Sequence, residues 1–163
     1  MGKRFASFEA FYDERYDAVR RSLSAAFRDP LLAEEAAQEA FTRAYMHWRR
    51  VSQMDRPDGW VYVVAVRVAA RRRPGTAGGD SGSSTEDFAE DVVNQAMLRA
   101  AIDRLPDRQR LAIVLRYLAD LPVDDVAAAM SCAPGTVKST LHSALARLHV
   151  DLDEAQEVEH DAT

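Results

Sequence analysis

Between Ala133 and Val150 the chain carries Lys138, His142, Arg147 and His149 and no carboxylate. At about 100° per residue, Gly135, Lys138, Ser139, His142, Ser143 and Ala146 share one side of a helix, with Thr136, Thr140 and Arg147 flanking them. Val137, Leu141, Ala144, Leu145 and Leu148 fall on the other side and form the expected buried stripe. Cations set among short hydroxyls permit close approach to a polyanion. Lysine and arginine suit phosphate or guanine, and serine and threonine suit phosphate or base edges. A plainly solvated helix face has the same composition, so the surrounding elements must distinguish the two.

Those elements support a docking helix. Asp103 to Leu118 carries a helical stripe of Leu111, Val114, Leu115 and Leu118, and Pro122 opens a short helix with Val123, Val126, Ala127 and Met130. Ser131-Cys132-Ala133 breaks it, and the cationic helix follows at Pro134 or Gly135. Two helices joined by so short a turn read as a helix-turn-helix. Nearer the N-terminus, residues 31–48 place Ala33, Ala37, Ala40, Phe41, Ala44 and Trp48 on one stripe, with Glu34, Glu35, Gln38, Glu39, Thr42 and Arg43 opposite. Residues 57–73 are ambiguous, because Trp60, Tyr62, Val64, Val66 and Val68 alternate as in a strand. Pro57 suits the first turn of a helix and the segment is long for a strand, which favours helix.

The charge map separates two blocks. Residues 1–74 hold 14 Lys/Arg against 10 Asp/Glu, and residues 96–149 hold 7 against 5. Residues 75–95 and 150–163 contain 5 and 6 acidic residues and no Lys or Arg, so a formal net of −5 conceals two mildly basic units. Positive blocks in an acidic chain fit nucleic acid or an acidic partner surface. From Pro74 to Ser84 lie four of the seven glycines, with too few apolar side chains to offset ordering, as in a flexible linker. The tail after Val150 is expected to fray.

On these motifs the chain resembles the extracytoplasmic-function sigma factors of bacterial RNA polymerase. Gly135-Thr136-Val137-Lys138-Ser139 with Leu141-His142 is similar to the recognition helix of sigma region 4, and Leu105-Pro106-Asp107-Arg108-Gln109-Arg110 with Leu115-Arg116-Tyr117 to the helices before it. Ala33-Glu34-Glu35-Ala36-Ala37-Gln38-Glu39-Ala40-Phe41-Thr42-Arg43-Ala44-Tyr45 resembles the region 2 helix that docks on the polymerase clamp, and Arg56-Pro57 with Trp60 the start of the promoter-melting helix. The resemblance implies an all-α protein. A region 2-like helical bundle at 1–74 and a region 4-like helix-turn-helix at 96–149 would be joined by a flexible acidic linker at 75–95 and followed by an acidic tail at 150–163.

It also implies roles. Glu35, Gln38, Glu39 and Arg43 would face core RNA polymerase; Trp60, Arg67, Arg71, Arg72 and Arg73 would meet the melted −10 strand; Thr136, Lys138, Ser139, His142 and Arg147 would meet the −35 duplex. The partners would be the β′ clamp and β flap of core polymerase and promoter DNA, with an anti-sigma factor left open. Several positions depart from the family pattern. Val66-Arg67 stands where Arg-Asn is usual, Arg71 where Asp is frequent, Ser131 where the turn has glycine, and Thr140 and Ser143 where the recognition helix has arginines.

Other chemistry is unsupported by the sequence. Cys132 is the single cysteine, and His47, His142, His149 and His160 show no ligand spacing, so no metal and no cofactor are expected. No nucleophile–base pair or phosphate-cradling glycine loop appears, and the expectation is a non-enzyme. Glu9, Asp13 and Glu14 stand where a signal peptide would need an apolar core, which points to the cytoplasm without membrane contact. Two rival readings remain: a stand-alone helix-turn-helix regulator, and a sigma-like protein that sequesters core polymerase or an anti-sigma factor.

Overall fold

The computed structural model describes residues 4–73 and 92–161, and no strand occurs among them. The first half comprises α1 (Phe8–Phe27), α2 (Pro30–Met46), the single turn α3 (Trp48–Val51) and α4 (Pro57–Arg72). The second comprises α5 (Val92–Asp103), α6 (Asp107–Ile113), a π-helical turn (Val114–Leu118), α7 (Val123–Met130) and α8 (Pro134–Asp161).

Local chemistry sets the boundaries of α1 and α2. Ser7 accepts a hydrogen bond from the Ala10 amide at 3.2 Å, and Asp29 accepts one from the Leu32 amide at 3.0 Å with Pro30 in the first turn. Between them Arg28 turns the chain through the left-handed region at φ 53°. Ala33, Ala36, Ala37, Ala40 and Ala44 are fully buried, so α2 presents a nearly flat side against which α1 and α4 approach closely. Trp48 does not continue the α2 stripe. It opens α3 and stacks on Phe11 at 5.2 Å between ring centroids, in a cluster with Phe8, Phe41, Tyr12 and Tyr16. Such ring pairs add about 0.5–1.5 kcal/mol each beyond area burial.

The alternating residues of 57–73 form a helix. Val61, Tyr62, Ala65, Val66, Val68 and Ala69 are buried, and this packing outweighs the β-propensity of the valines. The Tyr62 hydroxyl lies 3.2 Å from Ser22 Oγ and 3.4 Å from the Ala18 carbonyl, pinning α4 to α1, and burial pushes the phenol pKa up.

In the second half the expected continuous stripe is broken by the π turn. The Ala119 amide bonds the Val114 carbonyl at 2.9 Å, five residues back, and this wider turn shifts the register. Leu118 is therefore exposed and Leu121 fully buried. Along α8 the buried row runs Val137, Leu141, Ala144 and Leu148, which leaves Leu145 at its edge rather than in the stripe. Of the linker expected at 75–95, residues 75–91 lie outside the described residues, and α5 begins at Val92. The acidic tail is not frayed up to Asp161. It continues α8, held by Leu152 against the core and by Arg104 Nε 3.6 Å from Asp151.

The buried apolar residues of the two halves form one cluster. Packing of α1 on α6 and the π turn, and of α4 on α7, joins them. Arg110, 5% exposed, crosses this seam: Nε donates to the Ala26 carbonyl at 2.8 Å, Nη1 to the Leu105 carbonyl at 3.0 Å, and Nη2 to Asp107 at 2.7 Å.

Ser131 makes the turn between α7 and α8 at φ 54°, ψ 47°, where a side chain is strained. Ser131→Gly should stabilise the fold by up to about 1 kcal/mol, the relieved strain being partly offset by glycine's unfolded-state entropy. Calorimetry should show Tm raised by about 2–4 °C; an unchanged or lower Tm would mean that the turn stores no such strain.

Candidate nucleic-acid and partner interfaces

The first turns of α8 stand out from the second half with one face in solvent. Lys138 and His142 lie one turn apart, with Thr136, Ser139 and Arg147 on the same exposed side. Among the described residues the Lys138 ammonium, the His142 ring and the Arg147 guanidinium have no hydrogen-bond or ion-pair partner within the chain. Two hydroxyls differ. Ser139 donates to the Thr136 carbonyl at 3.0 Å and Thr140 donates to the same carbonyl at 2.7 Å. In this rotamer Ser139 offers a ligand only lone pairs, so it can accept from an exocyclic base amine but cannot donate to a phosphate. The five residues expected at a duplex are thus brought to one face.

The α2 residues Glu35, Gln38, Glu39 and Arg43 also share one side, and they are interlinked. Gln38 Nε2 donates to Glu34 Oε1 at 3.3 Å and Arg43 pairs with Glu39. Arg72, expected at a DNA strand, instead forks across Glu35 and Glu39 at 2.9 and 2.7 Å. One sequence-derived set therefore borrows a cation from another. Exposed pairs of this kind contribute little stability, so a partner can exchange them readily. Tyr45 and Met46, 62% and 70% exposed, extend this side with an apolar end that the site assignment from sequence omitted. The detectable signal was large apolar residues on a polar helix face.

On α4 the five expected DNA residues separate. Trp60, Arg67 and Arg71 follow one row at i, i+7 and i+11, whereas Arg72 turns to α2 and Arg73 donates to the Phe27 carbonyl at 2.6 Å. Arg71 is exposed and without a polar partner among the described residues. The Trp60 row faces α7. A cleft of about 530 Å³ lies between them, lined by Arg56, Gly59, Trp60, Val63, Pro122 and Asp125 among others. Arg67 Nη2 donates to the Ala128 carbonyl at 2.9 Å and Arg56 Nη2 to the Asp120 carbonyl at 3.1 Å.

Asp125 lines this cleft beside Arg56. Its Oδ2 is buried without a hydrogen bond among the described residues and forms an ion pair with Arg56 Nε at 3.6 Å, too long for a hydrogen bond. Burial raises the Asp125 pKa; Asp58 and Asp124 add to the rise, and Arg56 opposes it. A Cβ at Gly59 would stand 2.8 Å from the same oxygen, so the glycine admits the carboxylate against α4. Arg56, Arg110 and Asp125 were not singled out as site residues from sequence, because their contacts across the seam arise only when one half packs on the other.

Comparison with known proteins agrees with both halves. The family model for sigma-70 region 2 matches residues 11–75, and that for sigma-70, region 4 matches residues 95–148. The RNA polymerase sigma-E factor of Streptomyces coelicolor is 32% identical over 158 residues, covering 89% of this chain and 85% of that protein. The ECF RNA polymerase sigma factor SigL of Mycobacterium tuberculosis is 30% identical over 160 residues, covering 91% and 90%. Among solved structures, the sigma factor RpoE in complex with the anti-sigma factor NepR from Bartonella quintana shares the fold, with a TM-score of 0.67 at 20% identity over 90% of this chain and 96% of that one. Both regions in the family's order, matched along nearly the whole length of curated relatives, mean that this chain belongs to the ECF sigma factors of RNA polymerase.

Proposed function

We propose that this chain works as a promoter-specificity subunit in which the first half binds core polymerase and the melted −10 strand and the second half binds the −35 duplex. The observation that carries the second assignment is the α8 face, where Lys138, His142 and Arg147 stand exposed without a hydrogen-bond or ion-pair partner among the described residues. Cations left unpaired on a helix-turn-helix are available to phosphate and guanine at no internal cost. On α2, Glu35, Gln38, Glu39 and Arg43 offer a charged face flanked by Tyr45 and Met46, suited to the β′ clamp, while the exposed Tyr117 and Leu118 suit an apolar contact such as the β flap.

On α4, Trp60 offers a ring for base stacking, and Arg67 and Arg71 offer phosphate contact along the same row. The chain supplies recognition and strand capture, and the chemistry of RNA synthesis belongs to the polymerase. No helix among the described residues is long and apolar enough to cross a membrane, and the proposed place of action is the cytoplasm. An anti-sigma factor is a further candidate partner, since the Bartonella fold neighbour is held by one.

Transcription reconstituted with bacterial core polymerase and a genomic promoter library should give start sites that depend on this chain; their absence would favour a sequestering protein. Tight sequence-specific duplex binding without polymerase would favour the stand-alone regulator. In the same assay, Lys138→Ala should weaken upstream-element use without loss of fold. If Lys138 touches phosphate the salt slope falls by about one; if it touches a base, discrimination falls by about 1–3 kcal/mol. An unchanged affinity would remove this face from the duplex. Arg67→Asn should alter base preference in a randomised −10 library, because asparagine both donates and accepts whereas arginine only donates. Permanganate footprinting would report the open complex, and identical preferences would take Arg67 off the reading surface.

A further inference from the structure

The three arginines at the end of α4 leave the helix in three directions. Arg71 is exposed and without a polar partner among the described residues, Arg72 crosses to α2, and Arg73 donates to the Phe27 carbonyl at the end of α1. Successive residues of a helix stand about 100° apart, so three in a row do not share a face.

Arg72 reaches α2 with both arms of its guanidinium. Nη1 lies 2.9 Å from Glu35 Oε2 and Nη2 lies 2.7 Å from Glu39 Oε2, while Arg43 pairs with the other oxygen of Glu39. Glu35 and Glu39 are four residues apart on α2 and would repel each other if left alone. A planar fork with donors at fixed spacing bridges both carboxylates, whereas a lysine ammonium is a single point charge on a flexible stem.

We propose that Arg72 is a positioning residue of the polymerase-docking face rather than a contact to the melted strand: from α4 it holds the Glu35 and Glu39 carboxylates in the geometry that the polymerase clamp meets. This inference rests on the assignment of α2 to core polymerase.

Exposed ion pairs add little to stability, so what the fork contributes is order. A glutamate side chain fixed before docking has no rotamer freedom left to lose at docking, and binding is tighter for it. The fork uses only Oε2 of each glutamate, and an ionised carboxylate has about four acceptor sites, which leaves room for a partner's cation. A phosphate contact, by contrast, would take a lysine at this position as readily as an arginine.

Arg72→Ala and Arg72→Lys in the full chain test this, with circular dichroism and Tm as checks on the fold. Both should weaken binding to core polymerase, read by competition with a labelled wild-type chain, by about three- to tenfold. In a Glu35→Gln/Glu39→Gln background the same two substitutions should change it by less than about twofold, because no carboxylates remain to be held. Promoter opening followed by permanganate should need correspondingly more of either variant yet reach the wild-type plateau. Full affinity in Arg72→Lys would show that charge, not the fork, is what matters. Tighter polymerase binding by Arg72→Ala would show that Arg72 masks the glutamates, and a lowered plateau at unchanged affinity would return it to the strand. Each of these three results overturns the proposal. If the glutamine pair itself leaves polymerase affinity unchanged, the assignment of α2 to the clamp fails and the positioning role with it. A weakened glutamine pair beside unaffected Arg72 variants overturns the positioning role alone.

Discussion

Arg110 brings a guanidinium into the seam between the halves, where it is 5% exposed and bonded to the Ala26 carbonyl, the Leu105 carbonyl and Asp107. Burying a charge costs several kcal/mol unless its donors are satisfied, so this arginine is tolerable only with these acceptors in place. Neither α1 nor α7 carries a basic residue in its last turn. Each receives arginines from elsewhere. At α1, Arg73 bonds Phe27 and Arg110 bonds Ala26; at α7, Arg108 bonds Met130 at 3.3 Å and Arg67 bonds Ala128. Each helix end thus has one cation from its own half and one from the other. Unsatisfied carbonyls and the negative end of the helix dipole make such sites favourable for arginine.

This exchange divides the basic residues between internal and external work. Arg67, Arg72 and Arg73 are engaged within the chain, whereas Lys138, His142 and Arg147 face solvent and are unpaired among the described residues. The helix-turn-helix face therefore keeps its cations free of internal bonds among the described residues, whereas three of the four α4-end arginines hold internal partners.

Periodicity located α2, α6, α7 and α8, and composition separated the two basic blocks, whereas α1 and α5 were not read from sequence. The buried stripe of α2 and the polar outer face of α8 were readable because helical spacing is a local property of the chain. The valine run of α4 was ambiguous, since its helix is decided by packing of Val61, Ala65 and Val68 in the core rather than by propensity. Leu118 was misassigned because a π turn shifts register without altering residue types, and the tail because Leu152 gains a packing partner only in three dimensions. The arginines were the hardest to read. Nothing in Leu105-Pro106-Asp107-Arg108-Gln109-Arg110 distinguishes the buried Arg110 from the exposed Arg108, and nothing in Arg71-Arg72-Arg73 says that the second and third find partners within the chain.

The central claim is that the two halves of this ECF sigma factor close into one unit through cations exchanged between helix ends. Differential scanning calorimetry of the free protein tests it directly, because closed halves unfold together and tethered independent halves do not. The account predicts a single transition whose calorimetric and van't Hoff enthalpies agree, and which separates into two when Arg110 is replaced by methionine. Two resolved transitions in the unaltered protein would contradict it.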